Sequence, residues 1–153
     1  MHVSDHHLNL RLAIDEAHKA AAAGNTAVGS VIVREGLVVG AGHNTVRSDG
    51  DLIAHAEVSA IRDACGRLNT RVLAGATLYT TMEPCPMCLW AICIAGIGRL
   101  VIGARHSAFH RPELGSYSLE SMLAMTAVPV ELVTGILVAE CEALCPEMAR
   151  VGA

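Results

Sequence analysis

Blocks of apolar and polar residues alternate along the chain and predict helices and strands in succession. Asp5 precedes the first helical pattern as its expected N-cap, and Gly24 and Asn25 follow its expected end. This order predicts an α/β protein with a mixed central sheet between two layers of helices, a three-layer α/β/α sandwich. The expected elements are a helix over residues 6–23, strands over 27–33 and 37–41 joined by a hairpin turn, a loop over 42–51, a helix over 54–66, a strand over 76–81, a helix over 86–95, a strand over 99–103, a polar segment over 104–117, a short helix over 118–124, a strand over 130–134 and a helix over 139–149.

The composition supplies an aliphatic core and marks no boundary within the chain. Of the 153 residues, 52% are hydrophobic but only 3% are aromatic, so Ala, Val, Leu and Ile must fill the interior. No repeat, linker or low-complexity stretch interrupts the pattern. We therefore expect one domain over residues 1–153.

Charge and cysteine usage limit the partners and the compartment. The formal net charge is −4 and the pI is about 6.0, whereas nucleic-acid-binding domains usually carry a basic patch and a high pI. This balance argues against a nucleic-acid partner. The polar, His-rich N-terminus lacks the apolar core of a secretory signal, and no apolar run is long enough for a membrane span. The six cysteines are then expected to be reduced thiols of a cytoplasmic protein.

Two short stretches combine residue types that bind metal. A Cys-x-x-Cys pair presents two thiolates on one helical turn, and thiolates at a helix start are favoured by the helix dipole. A His at the start of a second helix supplies a third ligand, and three nitrogen and sulfur ligands describe a catalytic zinc site with an open position. We expect one Zn²⁺ per chain, held by His55, Cys85 and Cys88. The stretches are His55-Ala56-Glu57 and Pro84-Cys85-Pro86-Met87-Cys88.

Glu57 adds the chemistry to this site. Residues two apart on a helix point in different directions, so Glu57 lies better beside a zinc-activated water than as a ligand when His55 faces the metal. Zinc lowers the pKa of a bound water, and a nearby carboxylate can take its proton and deliver it to a leaving group. Hydrolytic loss of ammonia from an amidine-like carbon needs this set of parts.

The order His-x-Glu followed by Pro-Cys-x-x-Cys resembles the signature of zinc-dependent nucleoside and nucleobase deaminases, the cytidine and deoxycytidylate deaminase superfamily. The segments Thr77–Glu83 and Gly42-His43-Asn44 also resemble that superfamily. Residues 28–104 are most similar to its branch of cytosine deaminases, guanine deaminases and tRNA adenosine deaminases. The resemblance implies one zinc-dependent deaminase domain with a cytidine-deaminase-like fold, which forms a homodimer.

The resemblance also implies which residues contact the substrate. Asn44 is expected to offer its side-chain amide, and Ala56 its backbone N–H at a helix start, where such groups are unpaired. Val28 is expected on the same substrate surface. Phe109, the only Phe of the chain, either stacks on a flat heterocycle or anchors its loop, and the sequence leaves both interpretations open. His106 and His110 are expected at the surface or in a pocket wall, not as zinc ligands.

The expected substrate is a free nucleobase or a related small heterocycle, with cytosine slightly ahead of guanine. Residues 65–69 and 77–81 are similar to fungal cytosine deaminases, but residues 145–153 contain no counterpart of the aromatic C-terminal segment that closes their pocket. Residues 82–88 are equally similar to bacterial guanine deaminases. One alternative is editing of an adenosine in tRNA, because Gly103-Ala104-Arg105 and Gly115-Ser116 resemble that family. The other is a non-catalytic, zinc-stabilised domain.

The remaining histidines and cysteines have simpler expected roles. The N-terminal histidines His2, His6 and His7 are expected to be solvated, as side chains near a chain end usually are. Cys65 and Cys93 are expected to be small apolar residues in the helices that follow the two metal-binding stretches. Cys141 and Cys145 lie one turn apart in the last expected helix, where they would form part of its apolar face.

Overall fold

The computed structural model describes residues 3–151 of the chain. Its secondary structure follows the expected order closely. The helices are α1 (Val3–Ala22), α2 (Val46–Asp49), α3 (Ala56–Leu68), α4 (Pro86–Ile94), α5 (Leu119–Thr126) and α6 (Val138–Glu142), with short 3₁₀ turns at His106–Ala108 and Pro112–Leu114. The strands are β1 (Gly29–Arg34), β2 (Leu37–His43), β3 (Thr77–Met82), β4 (Arg99–Ala104) and β5 (Glu131–Val133).

These strands form one mixed sheet in the order β2-β1-β3-β4-β5. Strand β1 is antiparallel to β2 and to β3, because a tight hairpin leads from β1 into β2. Strands β3, β4 and β5 are parallel, and each connection between them passes through a helix, as parallel pairing requires. The prediction of a mixed central sheet is confirmed.

Successive residues of the central strands point to opposite faces of the sheet and so build two cores. Val31 and Tyr79 pack on the face covered by α1 and α6. Their neighbours Ile32 and Leu78 pack on the other face, which α3 and α4 cover. The molecule is therefore a three-layer α/β/α sandwich with an aliphatic interior, as the sequence predicted.

Helix α3 lies unusually close to strand β2 because glycine occupies the contact. A Cβ atom added at Gly42 would lie 2.4 Å from the backbone nitrogen of Ala60, and one at Gly40 would lie 2.7 Å from the backbone nitrogen of Ala64. Any other residue would push the helix away from the sheet. The two glycines thus fix the position of α3, and with it the residues at its N-terminal end.

Three of the expected segments differ from the structure by more than two residues. The first helix begins at Val3, so Asp5 lies inside it and does not cap it. The expected loop over 42–51 contains α2, whose backbone N–H groups at Arg47 and Ser48 donate to the side-chain oxygen of Asn25 at 2.9 and 3.0 Å. The last helix ends at Glu142 and not near residue 149. Pro146 explains this end, because its ring excludes helical hydrogen bonding to the carbonyl four residues earlier.

The expectation of solvated N-terminal histidines is wrong for His6. Its side chain is buried, and its Nδ1 atom lies 3.0 Å from the hydroxyl oxygen of Tyr79 in the sheet. The early start of α1 places His6 on the face of the helix that packs on β3. His7 is half-buried, and His2 lies outside the described residues.

The cysteines that were assigned to packing are inside the protein. Cys93, Cys141 and Cys145 are buried and Cys65 is half-buried, and all six cysteines, which fall within residues 3–151, are free thiols. A Cβ atom added at Gly103 would lie 2.2 Å from the sulfur of Cys141, so α6 packs directly against β4. Among the described residues no helix combines the length and apolar character needed to cross a membrane.

Candidate active site

Two helix N-termini meet at one end of the sheet and carry the metal-binding residues. His55 is the N-cap of α3, and Cys85 is the N-cap of α4, each with extended backbone angles. Pro86 follows at the first position of α4, where its missing N–H costs no hydrogen bond. Cys88 then lies on the first turn of α4, on the same face as Cys85.

The three expected ligands lie at the separations that a tetrahedral zinc site requires. The Nδ1 atom of His55 is 3.7 Å from the sulfur of Cys85 and 3.4 Å from that of Cys88. With Zn–S bonds of about 2.3 Å and Zn–N bonds of about 2.0 Å, two tetrahedral ligands stand roughly 3.5 Å apart. These three residues form the only group of potential ligand atoms that cluster this closely among residues 3–151. A two-sulfur, one-nitrogen donor set fits zinc and leaves a fourth position for a water or a substrate.

The pKa values of the two thiols are shifted in opposite directions. A hydrogen bond from the Cys88 thiol, together with one from His55, lowers the pKa of Cys85 to about 4. The same bond to Cys85 raises the pKa of Cys88, as does its burial. The hydrogen bond to Cys85 also raises the pKa of His55. The trio thus already carries one thiolate, and a bound cation would displace the remaining protons.

Glu57 lies in the first turn of α3 with its side chain inside the site. It is 3% exposed, and burial raises its pKa to about 7. The Thr80 hydroxyl donates to its Oε1 atom at 3.5 Å. A carboxyl group with a pKa near neutrality can both accept and return a proton, which is the property that a general acid–base needs.

A cavity of about 190 Å³ opens over this cluster. Six of the site residues expected from the sequence lie in its wall: the ligands His55 and Cys85, the acid–base residue Glu57, and the substrate contacts Val28, Asn44 and Ala56. The cavity is lined by Thr26, Val28, Asn44, His55, Ala56, Glu57, Met82, Glu83, Cys85, His106, Arg111 and Met148.

Asn44 forms hydrogen bonds within its own loop and also lines the cavity. Its side-chain oxygen accepts the N–H of Val46 at 3.1 Å, and its backbone N–H donates to the carbonyl of Val28 at 3.0 Å. A hydrogen bond within its own loop and a contact with a substrate are therefore compatible for Asn44. Because the oxygen is engaged, the group that Asn44 can offer to a bound molecule is its NH₂ donor.

Phe109 does not join the other expected substrate contacts. Its ring is 3% exposed and packs in the core with residues of α1 and α6. The residue lines a second cavity of about 220 Å³ beside the first, which it does not reach. The guanidinium of Arg150 lies 5.7 Å from the centre of the ring. The structure thus places Phe109 as the anchor of its loop, away from a base above Glu57.

Most residues of the cavity wall opposite Asn44 were not predicted from the sequence. Glu83 is 4% exposed, and its Oε2 atom accepts from Arg105 Nε at 2.8 Å and from the backbone N–H of His106 at 2.9 Å. These bonds hold the segment after β4 over the cavity and bring His106 and Arg111 into its wall. A carboxylate adjacent to the Pro-Cys motif was visible in the sequence, but its partners lie more than twenty residues away.

The C-terminal segment also reaches the cavity. It pairs with the loop at 108–110: His110 N–H donates to the carbonyl of Ala149 at 2.7 Å, and Val151 N–H donates to that of Ala108 at 3.1 Å. This pairing places Met148 in the cavity wall. The C-terminal residues lack aromatic side chains, yet they do help to close the pocket.

Comparisons with known proteins agree with this geometry. A family model described as the cytidine and deoxycytidylate deaminase zinc-binding region matches residues 3–104. The tRNA-specific adenosine deaminase of Bacillus subtilis is 38% identical over 137 residues, which are 88% of this chain and 82% of that protein. That of Aquifex aeolicus is 43% identical over 95 residues, so the match covers 62% of this chain and 63% of the relative.

Solved structures of tRNA deaminases and of guanine deaminases both match, and the guanine deaminase of Nitrosomonas europaea is 26% identical with a TM-score of 0.79, over 91% of this chain and 81% of the other. A structure from a study of A-to-I editing by tRNA:A34 deaminases is 33% identical with a TM-score of 0.78, and the match covers 89% of this chain and 97% of the other. The guanine deaminase of Bacillus subtilis is 40% identical with a TM-score of 0.63, over 65% of this chain and 64% of the other.

These comparisons correct the expected substrate. Relatives that match most of the chain are named tRNA-specific adenosine deaminases, so the expectation of a free nucleobase, with cytosine ahead of guanine, is wrong. The argument from charge against a nucleic-acid partner fails with it, because a net charge describes the whole chain and not the surface around one cavity. The expected zinc and the expected fold are confirmed. The chain belongs to the zinc-binding family of cytidine and deoxycytidylate deaminases.

Proposed function

We propose that this protein hydrolyses an adenosine within a tRNA to inosine and releases ammonia. The observation that carries the proposal is the match to a tRNA-specific adenosine deaminase over 88% of the chain. The chemistry of the cavity supports it, because a metal-ligand trio, a buried carboxylate and an amide donor surround one small space. The cavity has room for a single base, so the target nucleotide must leave its stack to enter.

The residues of the cavity have separate roles in the reaction. His55, Cys85 and Cys88 would hold zinc, which would supply Lewis acidity and lower the pKa of a water molecule toward neutrality. Glu57 takes a proton from the attacking water and delivers it to the ring nitrogen N1 beside the reacting carbon C6. The water oxygen adds to C6 while N1 takes up the proton, and the C–N bond to the amine breaks only after this addition. Glu57 takes the proton of the added hydroxyl group and passes it to the amine, so that ammonia leaves and a carbonyl forms at C6.

Asn44 and Ala56 orient the base for this step. The free NH₂ of Asn44 donates to an acceptor on the base, and the backbone N–H of Ala56 lies at the start of α3, where no helical carbonyl pairs with it. Val28 supplies an apolar surface for the ring and is itself almost fully buried. These contacts would hold N1 of the base close to Glu57.

The cations near the cavity determine how the affinity for tRNA depends on salt. Arg111 lies in the cavity wall and Arg150 lies beside the loop that carries it, and we assign the phosphate contacts to these two residues. Binding through a few phosphate contacts releases few counterions. We expect a shallow dependence of tRNA affinity on salt, of about one power of salt concentration for each phosphate contact.

The proposal is tested by incubating the zinc-loaded protein with a bacterial tRNA pool and, separately, with adenosine, cytosine and guanine. Digestion to nucleosides and mass spectrometry should show inosine from tRNA and no product from the free bases. Inosine located at one position of one tRNA would support the proposal. Ammonia from cytosine or guanine without inosine in tRNA would refute it.

We also propose that two copies pair through α3 and α4. An apolar groove of about 480 Å³ lies between these helices, and beside it the side chains of Met87, Trp90 and Ile94 are 36%, 46% and 66% exposed. All three lie on one face of α4. Sedimentation should show a dimer that Ile94→Glu dissociates, while Met125→Glu, at an exposed position on α5, should not. A wild-type monomer would contradict the proposal.

A further inference from the structure

Two hydroxyl groups lie on the largely aliphatic face of the sheet that α3 covers. Ser30 of β1 and Thr80 of β3 are directly opposite each other in the antiparallel pair, and both residues are fully buried. The next residues of the two strands on this face are Ile32 and Leu78. Valine has nearly the shape of threonine and suits a buried strand, so packing alone does not require a hydroxyl group at position 80.

The hydroxyl group of Thr80 lies between one donor and two acceptors. The Ser30 hydroxyl donates to it at 3.0 Å. Its own proton can go to Oε1 of Glu57, at 3.5 Å, or to the carbonyl oxygen of Met82, at 3.1 Å. Because Ser30 supplies the proton of the bond between the two hydroxyls, Thr80 keeps its single proton for one of these acceptors.

The carboxylate of Glu57 is the stronger of the two acceptors. A hydrogen bond to an ionised group is about twice as strong as one between neutral groups. If the proton pointed to Met82, a lone pair of Thr80 would face the negatively charged oxygen of Glu57. A separation of 3.5 Å is long, but catalytic hydrogen bonds often shorten only when the substrate binds. We therefore expect Thr80 to donate to Glu57 during the reaction.

The other donors to this carboxyl group do not tie it to the sheet. The Cys88 thiol and the backbone N–H of Glu57 itself also form hydrogen bonds with it. A cysteine must lose its proton to bind a metal, so Cys88 would then offer no donor. The backbone N–H belongs to the same helix as the side chain. Thr80 lies on β3 and thus connects the side chain of Glu57 to a different element.

We propose that Thr80, held by Ser30, is a positioning residue for Glu57: its hydroxyl donates to Oε1 and leaves Oε2 as the oxygen that exchanges protons with the reacting groups. Either oxygen of a freely rotating carboxyl group can carry the proton, and only one of them can face the reacting atoms. A bond that fixes Oε1 as an acceptor removes this ambiguity. The inference rests on the role of Glu57 in the proposed function and adds the residues that orient it.

Kinetics of inosine formation in a tRNA anticodon stem-loop test this contact. Thr80→Val removes the hydroxyl and keeps the shape of the side chain, whereas Thr80→Ser keeps the hydroxyl. Thr77→Val makes the same change at a buried position at the other end of β3 and is the matched control. For each variant we would measure kcat, KM, zinc content and the free energy of unfolding in urea.

Thr80→Val should lower kcat about 10–100-fold, as expected for the loss of a hydrogen bond to a charged group, and should leave KM nearly unchanged. Thr80→Ser should restore most of the rate, and Thr77→Val should behave like the wild type. Ser30→Ala, which removes only the support of the Thr80 hydroxyl, should lower kcat about 2–10-fold. All variants should bind one zinc per chain.

A double-mutant cycle shows whether Thr80 acts through Glu57. In the Glu57→Gln protein, whose residual rate does not use the carboxylate, the additional change Thr80→Val should have almost no effect on kcat. If it slows this protein by the same factor as the wild type, Thr80 acts elsewhere and the inference is wrong.

The remaining outcomes separate this inference from the function on which it rests. If the wild type makes inosine and Thr80→Val loses stability but not kcat, the hydroxyl serves only the sheet and the inference is wrong. It is equally wrong if Thr80→Ser is as slow as Thr80→Val, because the hydroxyl is then not the cause. If the wild type makes no inosine, the proposed function itself fails, and the inference fails with it.

Discussion

The substitution Glu57→Gln removes the carboxyl group that carries protons in the reaction and keeps the shape of the side chain. General acid–base groups contribute about 10²–10⁴-fold to rate, and Glu57 acts on the water, the ring nitrogen and the amine in turn. No second carboxylate can replace it, because Glu83, which shares the cavity, holds Arg105 and the backbone of His106. We expect the upper end of the range, a loss of about 10⁴-fold in kcat, which is about 5 kcal/mol in the barrier.

The assay follows inosine in a tRNA anticodon stem-loop by mass spectrometry under single-turnover conditions. Zinc content should stay at one ion per chain, because Glu57 is not a ligand of the metal trio. The fold should persist above neutral pH, since burial raises the pKa of Glu57 to about 7 and a neutral amide suits that environment. Glu131→Gln, at an exposed position on β5, should leave the rate unchanged.

A Glu57→Gln enzyme that is fully loaded with zinc and retains a rate within tenfold of the wild type would refute the assignment. Loss of activity together with loss of zinc would refute it too, because the carboxylate would then act on the metal and not on protons.

Three further predictions address the metal, the packing and the response to pH. Cys88→Ser should weaken zinc binding more than the 10–100-fold typical of outer-shell changes, measured by competition with a chelator; unchanged affinity would contradict the ligand set. Gly42→Ala should lower the free energy of unfolding by about 1–3 kcal/mol in urea titration, because its Cβ would lie 2.4 Å from Ala60 N. Gly66→Ala, a helical position with open space around it, should raise it by about 0.5–1 kcal/mol; equal effects would contradict the packing argument. Burial lowers the pKa of His6 below 6.5. The contribution of the neutral His6 side chain to the free energy of unfolding is therefore fully present above pH 6.5. It is lost as the pH falls, because the unfolded chain then takes up a proton that the folded chain does not. His6→Phe should therefore lose less stability than wild type between pH 7.5 and 5.5, and an identical loss would refute this.

The metal trio could be predicted because its geometry is local. Cys85 and Cys88 share a helical turn whatever the rest of the fold does, and Pro86 marks where that turn begins. The alternation of helices and strands likewise follows from short-range periodicity. The assignment of His55 as the third ligand required a further assumption, that the start of a second helix lies beside the two cysteines. The structure meets this assumption because α3 packs closely on the glycines of β2.

The missed features depend on contacts between distant parts of the chain. Asn25 stabilises α2 from outside its own loop, and the burial of His6 depends on Tyr79. Met148 reaches the cavity only because the C-terminal segment pairs with the loop at 108–110. Periodicity carries no information about such contacts. Pro146 is different, since the sequence contained the signal that ends α6 and the expected helix over 139–149 ignored it.

The substrate could not be predicted for a related reason. The motifs that the sequence offers hold the metal and move protons, so they do not distinguish adenine from guanine or cytosine. The rest of the cavity wall, which includes Glu83 and Arg111, is brought together by contacts between distant parts of the chain. Neither the net charge of the chain nor the spacing of its motifs describes this wall.

The central claim is that water, activated in this cavity, replaces the amine of a tRNA adenosine. It is tested most directly by running the reaction in H₂¹⁸O and measuring the mass of the inosine together with the ammonia released. We predict one ammonia per inosine, and inosine that carries one ¹⁸O at C6. Inosine without the heavy oxygen, or ammonia without inosine, would contradict the account.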